Sequence, residues 1–151
     1  MKIRALIFDD DDLISSLLKT IFEDRGYEVF AYSIPGACPL YRNPEFYCKE
    51  DNECADIIIS DLRMPNDSGV DLIEKLRKKG CKVKNIALMS GYWTQPSMHR
   101  AEEFGCKVFN KPFSMEEIEA WLDVCEKSID PNRVLSNWFQ SKNVIFKNNF
   151  E

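Results

Sequence analysis

The sequence has one histidine, no apolar run of membrane-spanning length, no stretch rich in Lys and Arg, no internal repeat and no low-complexity segment. Each absence removes a class of function. A transmembrane helix needs about 20 consecutive apolar residues. Here the short N-terminal run MKIRALIF meets four carboxylates, Asp9 to Asp12, which fits neither a membrane span nor a signal peptide. A cytoplasmic protein without a membrane partner is expected. A net charge of −5 with no basic stripe argues against direct nucleic-acid binding. The lone His99 stands among Arg100, Glu102 and Glu103 and reads as a solvated side chain, not a phosphocarrier or metal ligand. A chain of 151 residues suits one domain around one core.

What is present alternates in period. Ile3, Ala5, Leu6, Ile7 and Phe8 form a short apolar run, as in a parallel strand covered on both faces. From Asp12, the residues Leu13, Ile14, Leu17, Leu18, Ile21 and Phe22 recur at helical spacing until Arg25 and Gly26. Residues 27–32 and 56–60 read as the second and third strands, the latter strongly β-branched. A helix through Val70, Leu72, Ile73 and Leu76 follows, then a strand at 86–89, a polar helix over 95–104, a strand at 107–109 and a helix lined by Met115, Ile118, Trp121, Leu122 and Cys125. This alternation predicts an α/β fold: a doubly wound, five-stranded parallel sheet with helices on both faces.

Two segments stand outside the pattern. Residues 33–54 carry three prolines and three cysteines and read as an irregular insertion or a remodelled crossover. Cys38, Cys48 and Cys54 match no standard zinc spacing, so reduced thiols are expected, with metal binding or redox sensing as the alternatives. Residues 128–151 form an apolar tail, with Val134, Leu135, Trp138, Phe139, Val144, Ile145 and Phe146, expected as a helix packed on the domain or on a partner. The main domain is accordingly placed at residues 1–127, with no output domain after it. Trp93, Trp121 and Trp138 read as packing or partner-surface residues.

In an open α/β sheet, ligands bind beyond the carboxyl ends of the strands. The first strand ends in Asp9 and Asp10, the third in Asp61, the fourth in Ser90 and the fifth in Lys111. Two carboxylates about 4 Å apart repel by roughly 4 kcal/mol at a surface-like dielectric, so three converging ones invite a divalent cation or a proton. Oxygen-only ligation favours Mg²⁺. A phosphoryl group on Asp61 would find that cation on one side, the Lys111 ammonium on another and the Ser90 hydroxyl as donor. Asp11 and Asp12 suit the start of a helix, where a carboxylate caps the first amides.

Four motifs stand in order: Phe8-Asp9-Asp10-Asp11, Ser60-Asp61-Leu62-Arg63-Met64-Pro65 with Gly69, Met89-Ser90-Gly91, and Asn110-Lys111-Pro112-Phe113. With them the chain, over roughly residues 2–127, resembles the receiver domain of bacterial response regulators, with a flavodoxin-like, CheY-like fold. The resemblance implies a two-component signalling protein, not an enzyme acting on an external substrate. It implies phosphorylation of Asp61 by a sensor histidine kinase or a histidine phosphotransfer protein, catalytic roles for Ser90 and Lys111, and output to a downstream effector protein by protein contact. It further implies Mg²⁺ held by Asp10, Asp61 and the backbone carbonyl of Arg63, with Asp9 assisting, and a cis Lys111–Pro112 bond. Many receivers carry an aromatic switch residue where this chain has Val108. Valine is short and stiff about χ1, so switching is expected in the loop 90–93, with Trp93 and the tail around Trp138 reporting it.

Two rival readings remain. Leu6-Ile7-Phe8-Asp9-Asp10-Asp11 also resembles the opening of haloacid-dehalogenase-type phosphatases, which would make Asp9 the nucleophile. That reading lacks a later acidic pair beyond Lys111 and leaves Asp61 without a task. The other is an interaction module that works without phosphorylation; its signature would be loss of a pocket residue, and all five are present.

Overall fold

The computed structural model describes residues 1–33, 52–64 and 67–136. In chain order it contains β1 (Arg4–Phe8), α1 (Asp12–Asp24), β2 (Glu28–Tyr32), β3 (Ile57–Asp61), β4 (Arg63–Met64), β5 (Asp67–Ser68), α2 (Gly69–Lys78), β6 (Asn85–Ser90), α3 (Gln95–Glu103), β7 (Lys107–Asn110) and α4 (Met115–Ser128). Five strands form one parallel sheet in the order β2-β1-β3-β6-β7. The expected doubly wound α/β architecture is therefore present.

Strand periodicity explains the two cores. In β1, Leu6 and Phe8 enter one apolar cluster while Ala5 and Ile7 enter the other; in β3, Ile58 faces the first and Ile57 and Ile59 the second. Successive side chains point to opposite faces, so a strand covered on both sides is apolar throughout. Helices α2 and α3 cover the first face through Val70, Leu72, Ile73, Leu76 and Ala101. On the second face α1 and α4 supply Leu18, Ile21, Phe22, Ile118, Leu122 and Cys125.

Side chains set where the helices start. The Asp11 carboxylate accepts the amides of Leu13 and Ile14, while Ser68, Thr94 and Ser114 cap α2, α3 and α4, the last two through reciprocal capping boxes. The polar pattern before α3 hid this device: Ser97, an unremarkable helical serine in the sequence, returns the bond to the Thr94 amide.

The two-residue ribbon of β4 and β5, antiparallel with Arg63 opposite Ser68, was not expected. Strands this short carry no readable alternation. It returns the chain so tightly that a methyl group on Gly69 would sit 2.5 Å from the Asp61 carbonyl oxygen and 3.2 Å from Leu62 Cα. Only glycine fits that approach.

At the opposite, amino edge of the sheet lies a buried charge cluster that hydropathy does not reveal. Asp56, directly before β3, accepts the Arg4 amide at 2.9 Å and is held by both arms of Arg133, with Nε to Oδ1 at 2.7 Å. Arg4 in turn donates to Glu28 at 2.6 Å and to the carbonyls of Cys54 and Ser136. The Ser136 amide donates to the Glu53 carbonyl at 2.9 Å, and Ile129 and Ser136 are buried. Residues 129–136 thus run as a turn and irregular backbone fastened beneath the sheet. Cys38, Cys48, Trp138 and the remaining tail, 137–151, lie outside the described residues, as does most of the segment 33–54.

Cys106 and Cys125 are free thiols. Burial pushes Cys106 up to about 11 and Cys125 up to about 12, from an ordinary value of 9.0. As pH rises above about 9 the unfolded chain releases these two protons first, so their burial lowers stability through the window up to about 12.

Two outcomes test this packing. Arg133→Ala leaves the Asp56 charge buried without its guanidinium and is expected to destabilise the fold by about 3 kcal/mol in urea unfolding; a change below about 0.5 kcal/mol would show that the cluster holds nothing. Iodoacetamide at pH 9, read residue by residue by mass spectrometry, is expected to spare Cys106 and Cys125 in the native protein and to modify both in denaturant.

Candidate functional site

The parallel register carries the ends of β1, β3 and β6 to one edge. Phe8 pairs with Ser60 and Asp61 with Met89, so Asp9, Asp61 and Ser90 each follow closely on a buried strand. β1 and β3 are also where the chain order reverses across the sheet, the place where open α/β sheets hold ligands.

Lys111 organises this edge. Its Nζ lies 3.0 Å from Asp61 Oδ1 and 3.1 Å from Asp9 Oδ2. Asp9 is 1% exposed and Asp61 8% exposed, so both carboxylates have exchanged water for this ammonium. The other Asp9 oxygen accepts the Asp11 amide at 2.9 Å. The Lys111 amide donates to the Ser90 carbonyl at 2.8 Å, which ties the lysine to the end of β6, and the Lys111–Pro112 bond is cis.

One ammonium does not neutralise three carboxylates. Oxygens of Asp9, Asp10 and Asp61 can lie within 4.8 Å of one another. Burial raises the Asp61 carboxyl above its ordinary value; Lys111 opposes the rise, and the charges of Asp9 and Asp10 add to it. For Lys111, burial alone would lower the ammonium, but the bond and charge of Asp61 and the charge of Asp9 outweigh it and hold it above the usual lysine range. The Lys111 rise comes from the two carboxylates beside it, and the Asp61 rise first from burial and then from its acidic neighbours. An all-oxygen set of this charge, with Asp10 open to solvent, fits a hard divalent cation that keeps several waters.

Ser90 is buried, yet its hydroxyl is turned onto its own loop. Oγ donates to the Tyr92 carbonyl at 2.8 Å and accepts the Tyr92 amide at 3.0 Å. The Arg63 guanidinium lies over the Tyr92 ring, 5.5 Å from its centroid, a contact that sequence reasoning, concerned only with the Arg63 carbonyl, missed. Trp93 was expected as a packing residue and does pack against the core, but its indole N–H also donates to the Phe109 carbonyl at 3.0 Å. Asp11 caps α1, and His99 pairs with Glu103 at 3.0 Å on an exposed helix face. Asp11 touches the pocket through its amide bond to Asp9, whereas the described bond of His99 stays within its own helix.

Comparison with known proteins agrees with this arrangement. The family model described as the response regulator receiver domain matches residues 5–123. The two-component response regulator PhoP of Pseudomonas aeruginosa is 31% identical over 122 residues, which are 80% of this chain and 50% of PhoP. The virulence transcriptional regulatory protein PhoP of Salmonella typhimurium is 26% identical over 117 residues, 78% of this chain and 49% of its own length. The chain thus spans about half the length of these curated relatives. Among solved structures, a CheY-like response regulator receiver domain protein from Methanospirillum hungatei is similar with a TM-score of 0.66 at 26% identity, covering 85% of this chain and 100% of that one. The chemotaxis protein CheY4 of Vibrio cholerae, at 20% identity, shares the fold with the same TM-score over 83% of this chain and 99% of its own. A family match across most of the chain, on a sheet whose carboxyl edge gathers the acidic residues around one lysine, leads to one conclusion: this chain belongs to the response regulator receiver domains.

Proposed function

We propose that this chain accepts a phosphoryl group on Asp61 from a phosphohistidine donor, either a sensor histidine kinase or a histidine phosphotransfer protein, and signals through protein contacts. The observation that carries this reading is the shared ammonium. Lys111 holds one oxygen of Asp61 at 3.0 Å and leaves the carboxylate at the mouth of an acidic edge, where it can act as nucleophile. In the transfer, an Asp61 oxygen forms a bond to phosphorus while the phosphorus–nitrogen bond of the donor breaks; the imidazole leaves with that electron pair and takes up a proton from solvent. Lys111 stays within reach of the phosphoryl oxygens, and the Ser90 hydroxyl at the end of β6 becomes a donor to them once it leaves the Tyr92 carbonyl.

Asp10, Asp61 and the Arg63 carbonyl, with Asp9 assisting, would hold Mg²⁺. When bound, the cation offsets the charge that spreads over the phosphoryl oxygens. The net charge of −5 and the absence of a basic stripe support output by protein contact over direct nucleic-acid binding by these 151 residues.

The phosphatase reading fits less well. An Asp9 nucleophile would need a free oxygen, but one accepts the Asp11 amide and the other binds Lys111. Asp11, two residues on, is occupied as the cap of α1.

Incubation with Mg²⁺ and acetyl phosphate, followed by mass spectrometry, is expected to place one phosphoryl group on Asp61 and none on Asp61→Asn. Label on Asp9 would favour the phosphatase reading, and no label in any form would favour the interaction module. Asp10→Asn removes a ligand carboxylate and should raise the Mg²⁺ needed for half-maximal labelling by about tenfold or more. An unchanged requirement would remove Asp10 from the metal set.

A further inference from the structure

The Ser90 hydroxyl has a single proton, and that proton is committed to the Tyr92 carbonyl. Ser90 cannot donate toward Asp61 until it leaves this acceptor. How firmly it is held depends on how firmly the Tyr92 carbonyl is held, since the same loop residue also fixes Ser90 through its amide. Gly91 and Tyr92 are exposed, and the Arg63 guanidinium lies over the Tyr92 ring, not its carbonyl. The restraint on the backbone comes from the next two residues. Trp93 packs against the core cluster under α2 and α3 and donates its indole N–H to the Phe109 carbonyl in β7 at 3.0 Å. Thr94 is locked by its exchange of bonds with Ser97 at the start of α3.

We propose that Trp93 is a positioning residue for Ser90: its indole bond to Phe109 holds the Tyr92 carbonyl against the Ser90 hydroxyl and so restrains that hydroxyl from turning to a phosphoryl group on Asp61. The inference rests on the phosphoacceptor reading of Asp61 and adds to it the element that opposes activation. Because coupling between two events is reciprocal, a latch that disfavours the phosphoryl-bound arrangement is itself loosened by it. Val108, next to Phe109 and packed on the same cluster, offers no rotamer change of comparable reach. The device therefore joins the pocket to β7 through the indole.

The test uses the full chain, Mg²⁺ and beryllofluoride as the phosphoryl mimic, with binding followed by calorimetry. Trp93→Phe keeps an aromatic ring and removes the N–H. It is expected to bind the mimic about three- to tenfold more tightly, the scale of one neutral hydrogen bond. In a Ser90→Ala background the same substitution is expected to change nothing, because its effect runs through the hydroxyl; a merely structural role would give equal changes in both backgrounds. Affinity that is unchanged or weaker in Trp93→Phe, or an equal gain without Ser90, overturns the latch. A wild-type protein that takes up no beryllofluoride, or an Asp61→Asn protein that binds it equally well, overturns the phosphoacceptor reading and the latch with it. Should Trp93→Phe fail to fold, the wild type alone decides. Exchange of the Trp93 indole proton with solvent is expected to quicken on saturation with the mimic, and an unchanged rate overturns the proposal.

Discussion

The half-buried ammonium of Lys111 allows Asp9 and Asp61 to share one strand edge. Two carboxylates largely withdrawn from water would repel by roughly 4 kcal/mol at 4 Å and an effective dielectric of 20. A cation 3.0 Å from one and 3.1 Å from the other removes most of that opposition. Three elements must then keep register: β1 delivers Asp9, β3 delivers Asp61, and the turn after β7 delivers Lys111, tied back to β6 by its own amide. The apolar cores on both faces hold these strand ends in place. The return of the chain at Gly69, pressed against the Asp61 carbonyl, fixes the wall beside them.

Much of this was legible from residue order. A strand covered on both faces cannot hide its apolar run, so β1, β3 and β6 were plain, and the residues directly after them named the pocket. The start of α1 was legible, where Asp11 and Asp12 precede an apolar repeat. The β4–β5 ribbon was not, because two-residue strands have no period. Nor was the Asp56, Arg4 and Arg133 cluster: in a linear chain each reads as an ordinary surface charge, and only the parallel pairing of β1 with β3 brings Arg4 beside Asp56. The indole bond of Trp93 was hidden for the same reason, since its acceptor is a backbone carbonyl 16 positions away.

The two ends of β3 solve one electrostatic problem in two ways. Asp56 at the amino end and Asp61 at the carboxyl end bracket a run of buried isoleucines and a serine. Asp56 is enclosed by the guanidinium of Arg133, the Arg4 amide and protein walls, so its charge is spent on holding structure. Among the described residues Asp61 has one ammonium and two further carboxylates nearby, so its charge is left incompletely matched and available for chemistry. The same residue type is inert at one pole and reactive at the other because of what surrounds it.

The fastening of residues 129–136 beneath the sheet has a practical side for anyone attaching a fluorescent reporter or affinity handle. A junction placed directly after α4, at Ser128, looks natural from the helix boundary, yet it would strip Arg133 from Asp56 and the Ser136 carbonyl from Arg4. A junction directly after Ser136 leaves those bonds intact and starts the cargo at the amino pole of the sheet, away from the edge that carries Asp61, Ser90 and Lys111.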